Sequence, residues 1–213
     1  RYMAEYRKIR EKYTLLEICA IPELATQVTL QPINSFGFDA AILFADILLP
    51  LIPMGINLEF AAGEGPVIHN PVRTAADVDQ LRRINPHEDL AHVLKAVQLI
   101  SSELAGKTPL IGFAGAPFTL ASYLIEGGPS KNFLKTKGLM VEQTQVWDQL
   151  MNLLADVVAD FLLAQIEAGA QAIQLFDSWA GSALSPDDYK QYALPYSQKI
   201  FKNLSQAGVP TIH

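Results

Sequence analysis

Asp46 stands in the run Ile42-Leu-Phe-Ala-Asp-Ile-Leu-Leu-Pro50, a carboxylate set among hydrocarbon side chains. Such a group is costly to bury unless it is paired or hydrogen-bonded. It is therefore either a structural cap or ion-pair partner, or a charge placed for chemistry. Residues 112–128, Gly-Phe-Ala-Gly-Ala-Pro-Phe-Thr-Leu-Ala-Ser-Tyr-Leu-Ile-Glu-Gly-Gly, form a second unusual stretch. Here Gly112, Gly115 and Pro117 are expected to shape a tight turn into a helix with Tyr123 and Glu126 on one face; an ordinary loop and amphipathic helix would read the same way. Ser178 lies in Phe176-Asp-Ser-Trp-Ala-Gly181, which lacks the G-x-S-x-G form of a nucleophile elbow, so a serine nucleophile is not expected. His69, His87 and His92 have no Cys or carboxylate at metal-ligand spacing and read as solvated surface residues. Arg1, Arg7, Lys8 and Arg10 form either a charged helix face or a source of guanidinium groups for an anionic ligand.

The elements that must position these residues alternate in type. Four short apolar runs, residues 39–46, 109–113, 172–176 and 209–213, read as buried parallel strands. Helical spacing fills the intervals: residues 22–36, residues 76–104 with a break at Asn85-Pro86, residues 144–168 ending at Gly169 as a cap, and residues 186–206 ending at Gly208. Alternation of this kind calls for an α/β architecture with a parallel sheet. No G-x-G-x-x-G marks a dinucleotide-binding turn. The polar residues Asp46, Thr119, Asp177 and Ser178 cluster at strand C-terminal ends, where (β/α)8 barrels carry their active sites.

Composition narrows the class. The chain has 213 residues, 50% hydrophobic and 18% charged, against about 25% charged in an average soluble domain. That mixture suits a packed core and excludes disorder as the main state. A net charge of −6 leaves no general positive surface, so nucleic acid is not an expected partner and an anionic ligand needs a local cluster of cations. The single Cys19 cannot form an internal disulfide or a multi-thiolate metal site and suits a reducing compartment. The apolar stretch at residues 40–56 is interrupted by Asp46, Pro50 and Pro53, and no segment reads as a membrane span.

Four stretches together, Arg1-Tyr-Met-Ala-Glu-Tyr-Arg7, residues 39–50, residues 112–128 and Phe176-Asp-Ser-Trp-Ala-Gly181, strongly resemble the uroporphyrinogen decarboxylase family in order and spacing. The resemblance implies a (β/α)8 TIM barrel, with residues 1–213 part of that single domain and supplying about four of its eight strands. It implies a cytoplasmic homodimer, or a plastid enzyme in a photosynthetic eukaryote, that uses no cofactor or metal and converts uroporphyrinogen III to coproporphyrinogen III in haem and chlorophyll synthesis. By position, it makes Asp46 the acceptor of pyrrole N–H groups and Arg1 a partner for substrate carboxylates. Tyr123 and Ser178 become polar substrate contacts, and Ile42 and Phe176 apolar walls. Trp179 stands where some members have His. The same resemblance implies an internal fragment, inactive by itself and prone to associate through open sheet edges.

The expected chemistry needs no external electron sink, because a protonated pyrrole ring accepts the electrons released with carbon dioxide. An ionised Asp46 would stabilise the cation as it forms. The proton donor stays open between a motif arginine and bound water. The nearest rival within the same barrel superfamily, the corrinoid- and thiol-dependent methyltransferases, resembles zinc enzymes needing His and Cys ligands, for which Cys19 alone is insufficient. A noncatalytic half-barrel acting as an interaction module is the rival from outside the enzymes.

Overall fold

The structure, a computed structural model, describes residues 2–61 and 65–213. Arg1, the expected carboxylate partner, lies outside the described residues. Apart from the adjoining pair β2 and β3, strands and helices alternate as the apolar runs require, in the order β1 (Ala41–Ile42), β2 (Leu58–Ala61), β3 (Gly65–Ile68), β4 (Leu110–Gly115), β5 (Ala172–Phe176) and β6 (Thr211–Ile212). Four of them make one parallel sheet in the order β1-β4-β5-β6. This is the arc of a partial (β/α)8 barrel, with helices between successive strands.

β1 is shorter than the apolar run at residues 39–46 suggested, for a local reason. The Leu43 N–H still bonds the Ile111 carbonyl at 3.1 Å. The next N–H, of Phe44, donates instead to the Thr29 hydroxyl at 2.9 Å on the Pro22–Phe36 helix, so the chain leaves the sheet and turns. The antiparallel pair β2–β3 was not legible, because four residues of weak alternation fall below a readable strand pattern. The long segment at residues 186–206 divides into Pro186–Tyr192 and Leu194–Leu204. Pro195 cannot donate the hydrogen bond that would join them.

The core lies between the sheet and the Thr144–Glu167 helix. Leu110, Ala114, Ile173 and Leu175 turn toward the helices and are buried, as are Leu150, Leu154, Val157 and Phe161 on the long helix. That helix is long and apolar enough by length and composition alone to cross a membrane, a property that buried core helices share. It is apolar around most of its circumference because sheet and neighbouring helices enclose it, and 61% of the qualifying window is buried inside the fold.

Candidate active site

The opposite face of the sheet carries the site. Ile42 on β1 is 56% exposed and Phe176 at the end of β5 is 36% exposed, large apolar side chains on a face turned away from the helices. Phe176 packs edge-on to Phe113, with ring centroids 5.5 Å apart. Ile42, Asp46, Phe113 and Phe176 line one cavity of about 580 Å³, with Tyr2, Met3 and Tyr6 from the N-terminal segment.

Phe113 is held there by a device that sequence reasoning missed. Alternate residues of a parallel strand bond to alternate sides, so the Phe113 backbone faces the β1 side just where β1 has left the sheet. Gln165, fully buried on the long helix, fills that place: its Oε1 accepts the Phe113 N–H at 2.9 Å and its Nε2 donates to the Phe113 carbonyl at 2.9 Å. Gly112 makes the reach possible, since a Cβ on it would stand 2.6 Å from Gln165 Oε1. This corrects the expectation that Gly112 shapes a turn. Gly112 lies within β4, and the turn begins after Gly115, where Pro117 opens the Pro117–Glu126 helix.

Asp46 lies in the turn after β1 and is partly buried. Its Oδ1 accepts the Leu48 N–H at 2.9 Å, which starts the short helical turn Leu49–Leu51. Among the described residues Oδ2 accepts no hydrogen bond and no cation pairs with Asp46. One oxygen of Asp46 is thus spent on the turn, as the structural alternative expects. Burial pushes its pKa up, opposed by the Leu48 N–H. Its charge is felt nearby: burial first and Asp46 second push up the Tyr123 hydroxyl, and the same two causes push the Cys19 thiol up to about 12. A buried, protonated Cys19 is a poor metal ligand.

Tyr123 lines neither cavity of the site; its ring stacks on Trp179, with centroids 4.2 Å apart and an angle of 30° between planes. Glu126, three residues on, serves the fold instead, its Oε1 accepting the N–H and hydroxyl of Thr136, each at 3.0 Å. Ser178 is exposed and lies in a second cavity of about 660 Å³, which shares Phe176 with the first. The structure therefore brings Ile42, Asp46 and Phe176 to one cavity and Ser178 to its neighbour.

Asp177 and His213 line that second cavity and Thr119 bonds Asp177 from behind it; the strand-end positions of Thr119 and Asp177 are visible in the sequence, but no local pattern carries their pairing or the approach of His213. Of the other histidines, His69 faces Glu59 at 3.0 Å and His87 faces Glu167 at 3.3 Å, both exposed. His92 departs from its expected surface setting: it is partly buried, and burial pushes its pKa down. Among the described residues no three of His, Cys, Asp and Glu gather as a metal-binding group.

The uroporphyrinogen decarboxylase (URO-D) family model matches residues 1–213. A uroporphyrinogen decarboxylase of Carboxydothermus hydrogenoformans is 59% identical over 213 residues, all of this chain and 61% of that protein. One of Sorangium cellulosum is 61% identical over the same 213 residues, which make up 60% of its length. The chain thus spans less than two thirds of these relatives. A solved methyltransferase from Methanosarcina mazei superposes with a TM-score of 0.70 at 20% identity, over 92% of this chain and 56% of that one, a likeness of fold. With a family model matched from the first residue to the last and relatives this similar, the chain belongs to the uroporphyrinogen decarboxylase family.

Proposed function

We propose that the protein, at the length of its relatives, decarboxylates the four acetate side chains of uroporphyrinogen III to give coproporphyrinogen III. The observation that carries this reading is Asp46: a partly buried carboxylate with one oxygen fixed by the Leu48 N–H and the other uncommitted among the described residues, in an apolar cavity of a chain of this family. An electron-rich pyrrole ring takes a proton on a ring carbon and becomes cationic. The bond to the acetate carboxyl carbon then breaks, its electron pair flows into the ring, and carbon dioxide leaves. The remaining methylene takes a proton as the ring returns one, so each cycle consumes one proton.

In this reading Asp46 accepts the pyrrole N–H groups and stabilises the ring cation. A fixed carboxylate in a site of low polarity does this better than water, because it needs no reorganisation as charge develops. Ile42 and Phe176 wall the macrocycle and Ser178 positions it from the neighbouring cavity, while Tyr123, outside both cavities and stacked on Trp179, takes a positioning role by resemblance alone. Arg1 takes a substrate carboxylate by resemblance alone. The electron sink belongs to the substrate, so the scheme calls on no cofactor. The same reading makes residues 1–213 part of one (β/α)8 domain of a cytoplasmic homodimer, or of a plastid enzyme in a photosynthetic eukaryote. There it serves haem synthesis and, in a photosynthetic source, chlorophyll synthesis. Anaerobic incubation of the full-length protein with uroporphyrinogen III, followed by chromatography, should show coproporphyrinogen III accumulating. Unchanged uroporphyrinogen would contradict the reading.

A further inference from the structure

The scheme above leaves a second carboxylate without a task. The Asp177 side chain, just past β5, is only 5% exposed. Its Oδ1 accepts the Thr119 hydroxyl at 3.0 Å, from the Pro117–Glu126 helix. Its Oδ2 is buried without a hydrogen-bond partner among the described residues. His213, just past β6, places Nε2 3.8 Å from that oxygen, too far for a hydrogen bond and close enough for charge attraction. The imidazole is 32% exposed and packs edge-on to Phe201 of the Leu194–Leu204 helix, with centroids 5.4 Å apart. From the Pro186–Tyr192 helix, Tyr189 completes the titratable groups around the carboxylate; burial first and Asp177 second push its hydroxyl up, with Ser197 opposing. Asp177, Tyr189 and His213 line the second cavity, which meets the Asp46 cavity at Phe176.

We propose that Asp177 is a positioning residue for proton supply, holding His213 in the wall of the second cavity so that its imidazole carries protons from solvent toward the cavity of Asp46. This rests on the decarboxylase reading. That chemistry turns R–CH2–COO⁻ and one proton into R–CH3 and carbon dioxide: a C–C bond breaks, a C–H bond forms, and no electrons are exchanged with another reactant. A substrate that loses four carboxyl groups draws four protons. An imidazole can accept a proton on one ring nitrogen and donate one from the other, and a carboxylate behind it fixes its orientation.

The experiment uses the full-length protein with His213→Ala, Asp177→Asn and the double substitution, assayed anaerobically in dilute buffer and with added imidazole. Each single variant should turn over about tenfold more slowly in dilute buffer, less than the hundredfold or more of an acid that touches the reacting atoms, because His213 relays protons and does not deliver them to the substrate. The double variant should be no slower than either, as for two residues acting as one unit. Imidazole should restore His213→Ala and leave the wild type unchanged. Asp177→Asn keeps an acceptor for Thr119, and a melting curve reports its folding. If that variant does not fold, His213→Ala, with its folding checked by the same melting curve, decides the question alone. A loss that imidazole does not relieve, or turnover within about twofold of wild type in dilute buffer, would overturn the proposal. With wild-type product normal, those results leave the decarboxylase reading standing; a wild type that releases no carbon dioxide overturns both.

Discussion

Past β1 the chain buries Asp46, and past β5 it buries Asp177; the two strand ends treat their carboxylates differently. Asp46 has one backbone N–H, from Leu48, and no cation among the described residues. Asp177 has the Thr119 hydroxyl and an imidazole within 3.8 Å. For both, burial is the largest influence and raises the pKa, but only Asp177 has an opposite charge working against it. Burial of a carboxylate is thus not itself a sign of one role. The partners decide whether it waits for a ligand or supports a neighbouring side chain.

The comparison breaks most readily at Asp46. Asp46→Asn keeps an oxygen for the Leu48 N–H and removes the charge, so decarboxylation should fall on the order of a hundredfold or more, the size of losing one preorganised electrostatic group. Asp177→Asn should lose far less. Steady-state product formation by the two purified variants measures the contrast, and equal losses would erase it.

Next in size are the residues that hold the wall between the two ends. Gln165→Leu would strip both backbone groups of Phe113 of their partner inside the core, and Gly112→Ala would push a methyl into Gln165. Each should cost about 2–3 kcal/mol of stability. Chemical denaturation monitors this, and a change below about 0.5 kcal/mol would show that the amide bridge is dispensable.

Smaller effects belong to the positioning groups. Tyr123→Phe and Ser178→Ala should each lower turnover by about tenfold or less and change the proportions of partly decarboxylated products. Chromatography of the reaction mixture reads both, and a covalent adduct trapped on Ser178 would contradict its role.

The smallest effect is on stability against pH. Because burial raises the Asp46 pKa above 3.8, the folded chain holds that proton more tightly than the unfolded chain. Stability then falls as pH rises from 3.8 through the raised value, and the cost persists at neutral pH. Asp46→Asn removes the cost, so at pH 7 it should melt about 2 °C above wild type, with the gap closing toward pH 4. A variant that melts lower at neutral pH would show that the charge stabilises the fold.

Much of this arrangement was legible from residues close in sequence. The run at 172–176 gave β5 with the same bounds, and the carboxylate at 46 was flagged by its apolar surroundings. What escaped depends on residues far apart in the chain. Gln165 bonds Phe113 across 52 positions and Thr119 bonds Asp177 across 58, and neither pair has a periodic or local pattern to announce it. The early end of β1 depends likewise on Thr29 competing for the Phe44 N–H, a contact between a helix and a strand. Local patterns specify where elements form; the contacts that aim side chains into the cavity come from packing.

The most direct test of Asp46 watches its carboxyl group. Infrared difference spectra of the full-length protein with and without coproporphyrinogen III, with Asp46→Asn as the reference, isolate this side chain from the other carboxylates. If Asp46 receives the pyrrole N–H groups as an ionised acceptor, ligand binding should strengthen and shift a carboxylate band that the variant lacks. A protonated-acid C=O band assigned to Asp46 in the complex, or identical spectra for wild type and variant, would contradict the account.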